Sequence, residues 1–197
     1  MKLKTGLLAI TCLLFLGTNV YGQQKKHSLE VGLGIWNTNE IINSFSDMIV
    51  SSLPNDIKMK DEGSYGSVHL GYKYHSSRIF AVGGFVAYDY AKSKGLSGGY
   101  ETGMFYKTHY TFALEAELTY LPLGSFNMYG LVGIGETFYH LEYKSSSSES
   151  MNDSDTNPYT TFQITPVGLR IGRNAGAFLE IGFGYRGILN AGLFARF

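Results

Sequence analysis

Residues 110–120 read Tyr-Thr-Phe-Ala-Leu-Glu-Ala-Glu-Leu-Thr-Tyr, and few folds accommodate such a segment. In a β-strand successive side chains point to opposite faces. Tyr110, Phe112, Leu114, Ala116, Leu118 and Tyr120 then share one face, and Thr111, Ala113, Glu115, Glu117 and Thr119 share the other. An apolar face with an aromatic at each end, backed by two carboxylates near its middle, suits a strand with lipid on one side and polar groups on the other.

Other segments alternate in the same way. Segment 27–36 sets Leu29, Val31, Leu33 and Ile35 against Ser28, Glu30, Gly32 and Gly34. Segment 65–75 sets Val68, Leu70, Tyr72 and Tyr74 against Ser67, His69, Gly71 and Lys73. Segment 79–90 sets Phe80, Val82, Gly84, Val86 and Tyr88 against Ala81, Gly83, Ala87 and Asp89. In 127–143, Gly130, Gly133 and Gly135 permit either phase or a bulge. Sending Glu136 inward places Tyr129, Leu131, Tyr139 and Leu141 outside. Segment 159–172 sets Val167, Leu169 and Ile171 against Gly168 and Arg170, with Pro166 marking a kink or bulge. Segment 177–186 sets Leu179, Ile181, Phe183 and Tyr185 against Glu180, Gly182, Gly184 and Arg186. Finally, 188–197 sets Leu189, Ala191, Leu193, Ala195 and Phe197 against Asn190, Gly192, Phe194 and Arg196.

In this phasing no charge lies on an apolar face, whereas the opposite faces carry Glu30, Lys73, Asp89, Glu115, Glu117, Glu136, Arg170, Glu180, Arg186 and Arg196. A water-soluble barrel should show the reverse, an apolar interior and a polar exterior. Arg or Lys facing lipid at mid-bilayer costs about 2–4 kcal/mol, so the charged faces belong inside. The expected connections alternate long and short: 37–64, 75–78, 91–106, 121–126, 144–158, 173–176, then a tight turn near Gly187. Short turns on one side and longer loops on the other are the habit of outer-membrane barrels. The pattern predicts an all-β fold: an eight-stranded antiparallel up-and-down transmembrane β-barrel with both termini on the periplasmic side.

The longest apolar run, Leu7–Leu16, is far short of the ~20 residues that span a bilayer as a helix. Lys2 and Lys4 precede it, and Val20-Tyr21-Gly22 supplies small residues at positions −3 and −1, the layout of a signal peptide. The expected organisation is a leader over 1–22 and one barrel domain over 23–197. The single cysteine, Cys12, falls inside the leader, which removes disulfides, thiol chemistry and cysteine metal sites from the domain. Zero formal charge and the lack of a basic cluster exclude an electrostatic footprint for nucleic acid.

The chain resembles the small outer-membrane β-barrel family of Gram-negative bacteria, the eight-stranded porin-like or OmpA/OmpX-like barrels. The most specific element is the last strand, Leu189-Asn190-Ala191-Gly192-Leu193-Phe194-Ala195-Arg196-Phe197. It looks like the family's C-terminal assembly signal, with Leu193, Ala195 and the terminal aromatic Phe197 as its alternating apolar positions. The resemblance implies insertion by the barrel-assembly machinery and contact with outer-membrane lipid and lipopolysaccharide. It implies no particular activity, because such barrels serve as anchors, adhesins, enzymes or scaffolds.

An eight-stranded interior is only wide enough for side chains to fill it. Glu30, Glu115, Glu117, Arg170, Glu180, Arg186 and Arg196 are therefore expected to form an internal salt-bridge network that plugs the lumen. Gly-x-Gly at 32/34, 133/135 and 182/184 leaves room for neighbouring side chains and is no nucleotide loop, since no helix follows. His75-Ser76-Ser77 has the His-x-Ser spacing of outer-membrane lipid A deacylases but falls on a short turn at the wrong end. His109 and His140 could approach each other across adjacent strands. In Asp153-Ser154-Asp155-Thr156-Asn157, Pro158 stands where a calcium loop needs Gly and Ile164 where it needs Glu. Residues 39–53 space Ile41, Ile42, Phe45, Met48, Ile49 and Leu53 as an amphipathic helix. The reading is a monomeric, non-enzymatic membrane scaffold or surface interaction protein with no cofactor, metal or catalytic residue. A lipid-modifying enzyme and a transporter of small hydrophobic ligands are the alternatives.

Overall fold

The computed structural model describes residues 25–36, 57–97, 100–145 and 154–197. The expected leader over 1–22 and the amphipathic segment 39–53 lie outside the described residues. The strands are β1 (His27–Ile35), β2 (Ile57–His75), β3 (Phe80–Ser97), β4 (Tyr100–Leu123), β5 (Phe126–Ser145), β6 (Ser154–Gly172), β7 (Ala175–Gly184) and β8 (Leu189–Arg196). They form one closed antiparallel barrel in sequence order. The seam pairs β1 with β8 from Ser28↔Arg196 to Ile35↔Leu189. Phe197 completes it, donating its N–H to the His27 carbonyl at 2.9 Å and accepting the His27 N–H at 3.1 Å. Closure leaves no strand edge at the seam, which is the condition for β-structure in lipid.

The two faces separate as alternation requires. Outward Val31, Leu33, Val68, Leu70, Phe112, Leu114, Leu118, Ile171, Ile181 and Leu193 are exposed, while inward Ser28, Glu30, Lys73, Glu115, Glu117, Arg170, Glu180 and Asn190 are buried. A water-soluble monomer rarely exposes so continuous an apolar surface; here it is a belt for lipid. Aromatics bound the belt: Tyr72, Tyr74, Phe80, Tyr120 and Phe197 towards the short turns, Tyr88, Tyr110 and Phe162 towards the other end. Tyr110 and Tyr120 lie about 33 Å apart along β4 at ~3.3 Å per residue, or about 25 Å along the normal at a tilt near 40°. That matches the apolar band such barrels present.

β2 to β6 have 19, 18, 24, 20 and 19 residues, against 9, 10 and 8 for β1, β7 and β8. The wall is therefore taller on one side. Within 91–106, expected as a loop, β3 instead continues to Ser97 and β4 starts at Tyr100, with Lys92↔Tyr106 and Ser93↔Phe105 paired and a register shift after Gly95. Its charged residues look like loop composition, but a strand that has left the lipid has no need of an apolar face. Lys92 Nζ lies 5.5 Å from the centre of the Tyr90 ring and 5.9 Å from that of Tyr106, so the outward face turns polar above the belt. Likewise β2 begins at Ile57 and β6 at Ser154, inside the expected loops.

Two placements differ from the sequence expectation. In β5, Tyr129 and Leu131 face inward, and the register sets Tyr139 and Leu141 opposite inward His109 and Lys107. Val132, Ile134 and Glu136 point outward and are exposed. Choosing the phase by burying Glu136 fails because a one-residue slip turns every side chain over, and here it would turn Val132 and Ile134 away from lipid. In β7, alternation stops at Gly184, whose φ is +140°, and Gly187 follows at +104°. Tyr185 and Arg186 are consequently both buried inside, although strict alternation puts Tyr185 outside. At Pro166 the register shifts between β5 and β6 and between β6 and β7, the irregularity its missing N–H requires.

A Cβ on Gly184 would stand 2.1 Å from the Phe162 carbonyl oxygen at a φ that suits glycine, whereas one on Gly84 would meet nothing within 4 Å. Gly184→Ala should lower unfolding stability by about 1–3 kcal/mol, and Gly84→Ala should stay within about 0.5 kcal/mol of the parent. Denaturant titration of the refolded barrels followed by gel mobility checks both; equal midpoints would mean that the β7 turn relaxes freely.

Candidate functional site: the barrel interior

Inward residues from six of the strands, and from the turn after β7, meet in the lower and middle barrel. β1 contributes Glu30, β2 Lys73, β4 Glu115 and Glu117, β6 Arg170, β7 Glu180 and β8 Asn190; Arg186 enters from the turn. All are buried. Arg170 grips Glu117 with both ends of its guanidinium, Nη1 to Oε1 at 2.7 Å and Nη2 to Oε2 at 3.0 Å, and reaches Glu30 Oε1 at 2.5 Å. Lys73 Nζ donates to Glu117 Oε2 at 2.7 Å and lies 2.9 Å from Glu30 Oε2, the latter an ion pair without hydrogen-bond geometry.

A second tier sits against the first. Arg186 holds Glu115 in a fork, Nε to Oε1 at 2.7 Å and Nη2 to Oε2 at 2.5 Å, and its Nη1 reaches Glu180 Oε2 at 3.0 Å. Its Nη2 is 3.8 Å from Glu30 Oε2, which links the tiers. Asn190 Nδ2 and the Tyr129 hydroxyl donate to Glu180 at 2.6 and 2.7 Å, and the Tyr185 hydroxyl donates to Glu115 at 3.0 Å. Aromatic faces cover the guanidiniums: Arg170 lies 4.3 Å from the Tyr129 ring centre and Arg186 4.6 Å from that of Phe85. Planar forks that match carboxylates and also stack on rings are what arginine supplies and lysine does not.

Of the residues singled out from sequence, Glu30, Glu115, Glu117, Arg170, Glu180 and Arg186 are thus brought together. Arg196 is not: it makes no ion pair among the described residues and lies near the turn end, 5.6 Å from the Phe194 ring. Leu193 and Ala195 line the outward face of β8 beside Phe197, whose ring stacks on His27 at 5.8 Å. Lys73, Tyr129, Tyr185 and Asn190 belong to the network although sequence reasoning did not place them there. Lys73 and Asn190 carried a signal, being already on the inward face by alternation. The tyrosines carried a fainter one: each faces a glycine, since a Cβ on Gly168 would lie 2.5 Å from the Tyr129 ring and one on Gly133 1.9 Å from the Tyr185 hydroxyl.

The catalytic and metal candidates separate in space. His75 Nε2 bonds Ser28 Oγ at 3.0 Å, and Ser77 Oγ accepts the Ile79 and Phe80 N–H groups of its own turn. His109 pairs with Tyr139 on the inner face and His140 with Thr108 on the other, so the two imidazoles cannot share an ion. Above the network Ser67 Oγ and both ring nitrogens of His69 are buried without a partner among the described residues.

No family model matches the chain, and no curated protein does. Among solved structures it is similar to Ail, the attachment invasion locus protein of Yersinia pestis, a crystal structure in complex with the heparin analogue sucrose octasulfate. The two share 13% identity over 87% of this chain and 93% of that one, with a TM-score of 0.42. A closed eight-stranded antiparallel barrel, charged within and apolar without, is the architecture of the small outer-membrane barrels.

Breaking a buried pair leaves an uncompensated charge and costs about 3–5 kcal/mol. Arg186→Ala strands Glu115 and Glu180 together and should lower unfolding stability by that amount in a urea titration, whereas Glu115→Ala leaves Arg186 paired with Glu180 and should lower it by less. Tyr129→Phe removes one hydrogen bond to a carboxylate and should cost about 1.5–3 kcal/mol. Unchanged midpoints in the charge variants would mean that water solvates these groups.

Proposed function

We propose that the protein is a monomeric outer-membrane scaffold that displays its taller wall at the cell surface as an interaction module, without enzymatic or pore activity. The observation that carries this is the coexistence of an apolar outer belt with an interior whose cross-section is occupied by paired, buried charges. A conducting pore requires mobile water along the axis, and an eight-stranded barrel has only the width that side chains fill. The turns 76–79, 124–125 and 173–174 and residues 25–27 and 197 share one end. By the habit of such barrels that end is periplasmic, and β2 to β6 rise at the outer surface among lipopolysaccharide. Engagement of the Ser77 hydroxyl in its own turn and of His75 with Ser28 supports a structural role for that sequence.

Two experiments test this reading. Purified protein reconstituted in planar bilayers should give no reproducible nanosiemens steps; regular steps of that size would overturn the closed-lumen assignment. The second concerns delivery by the barrel-assembly machinery. Deleting Phe197 removes two backbone hydrogen bonds and one ring stack from the seam, worth about 1–3 kcal/mol, yet it also removes the terminal aromatic of the assembly signal. The deletion should therefore refold in detergent with modest loss of stability but reach the outer membrane poorly in cells. Normal surface levels would count against recognition of the terminus.

A further inference from the structure

We propose that Pro158 is a guard residue, which blocks the free upper edge of β6 against strand addition by an extended polypeptide. The inference rests on the reading of the taller wall as a monomeric surface module. The edge arises because the wall is uneven. β6 runs from Ser154 to Gly172, but β7 leaves it after Gln163↔Gly184, where Gly184 has φ +140° and the chain turns into the lumen. The last backbone contact on that side is the Tyr185 N–H donating to the Phe162 carbonyl at 3.2 Å. Beyond Phe162 no strand among the described residues pairs with β6 on the β7 side, while pairing with β5 continues in unbroken register to Glu142↔Ser154. Along an antiparallel strand the N–H and C=O of one residue point to the same neighbour, and successive residues alternate between neighbours. Since the Phe162 carbonyl points towards β7, the backbone groups of Thr160 and Pro158 point to that side too, past the end of β7.

A row of unpaired backbone groups is a template for another strand. Here it runs through Thr156-Asn157-Pro158-Tyr159-Thr160-Thr161-Phe162, which carries no charge and is rich in β-branched and aromatic residues. That is the composition of a strand-pairing segment, broken only by its proline. Pro158 is exposed and stands about 13 Å along the strand from Phe162 at ~3.3 Å per residue, beyond the aromatic rim. Its nitrogen carries no hydrogen and faces the unpaired side, the side on which a proline costs the sheet no ladder bond. The other free edge has its own device. β1 pairs with β2 only as far as Gly34↔Ser67, and beyond that point β2 carries register shifts between Ser64 and Ser67 and between Asp61 and Gly63, with Gly66 at φ +72°. Bulges twist an edge away from a flat partner. Neither the lumen network nor the lipid belt calls for a proline on β6 or bulges on β2 at these heights, whereas protection of two exposed edges calls for both.

The test uses the full folded chain in detergent and two labelled probes, a short Thr-Val repeat peptide flanked by lysines and the same peptide N-methylated at every residue, which cannot extend a ladder. Binding is read by fluorescence anisotropy. The parent should bind both probes equally weakly. Pro158→Thr supplies the missing N–H and removes the ring, so it should bind the unmethylated peptide roughly tenfold more tightly than the parent, the scale of one net hydrogen bond, with no gain for the methylated one. Pro158→Thr combined with Thr160→Pro moves the block two residues along the same edge and should return binding to the parent's level. Heat-modifiable mobility selects folded preparations, and Pro158→Ala, expected to gain in the same direction by less, stands in should the threonine variant not fold. Equal binding by the parent and the folded single variants, an equal gain for the methylated peptide, or a gain that survives in the double variant would each overturn the proposal. Sedimentation of the same preparations separates the failures. A monomeric parent whose single variants gain nothing removes only the guard, and a parent that dimerises removes the monomeric reading as well.

Discussion

A cylinder of eight strands has room inside for side chains and for little else, so each inward charge must be neutralised within its own neighbourhood. That constraint organises the interior. Four carboxylates, from Glu30, Glu115, Glu117 and Glu180, surround three cations, from Lys73, Arg170 and Arg186, with contacts of 2.5–3.0 Å. Desolvating such groups costs several kcal/mol each, and attraction repays this only when geometry is good and remaining lone pairs are bonded. The forks of Arg170 and Arg186, and the added donors of Tyr129, Tyr185 and Asn190, meet that condition for Glu115, Glu117 and Glu180, whereas Glu30 Oε2 rests on ion pairs alone. Because the charged partners come from β1, β2, β4, β6, β7 and the β7–β8 turn, the network ties together strands far apart around the circumference. Backbone pairing closes the cylinder, and the charges brace it across its diameter.

Filling a narrow tube with arginines and tyrosines requires places where the wall recedes. Gly133 accommodates the Tyr185 hydroxyl, Gly168 the ring of Tyr129 and Gly192 the tip of Phe178. Large and small inward residues thus complement each other across the lumen, as close packing demands. The same device acts on the opposite face at Gly84, where no inward group takes up the space and a groove remains on the lipid side.

Much of the fold was legible from alternation because burial in a thin wall has period 2 wherever the strand runs without a bulge or turn. Strands β1, β2, β4 and β8 show their inward and outward residues directly in the sequence. Where glycine removes the Cβ, the period loses its marker: β5, with Gly130, Gly133 and Gly135, fits either phase, and Glu136 alone does not decide between them. At Gly184 the backbone leaves the strand, so Tyr185 and Arg186 both turn inward. Strand length was illegible for a different reason. Above the lipid no apolar face is needed, and the Lys92–Tyr106 stretch of β3 and β4 has the composition of a loop while keeping strand pairing. Six of the seven expected lumen charges meet because all of them had to point inward; Arg196 does not, because it comes too late on β8 to reach the middle of the barrel.

The orientation of β5 shows which interaction outranks which. Turning the strand over would put Glu136 inside and would expel Tyr129, with its hydroxyl on Glu180 and its ring under Arg170. It would also bury Val132 and Ile134, which at 56% and 64% exposure are among the most lipid-accessible residues of the belt. Leaving a carboxylate on the lipid face one row from the aromatic rim costs less than an arginine or lysine at mid-bilayer, since the penalty falls towards the interface and is smaller for acids. Against it stand a hydrogen bond to a buried carboxylate, a cation–π contact and two large apolar residues returned to lipid. The sum favours an outward Glu136. The outward carboxylate of Glu136 is therefore the consequence of a packing decision made inside the barrel.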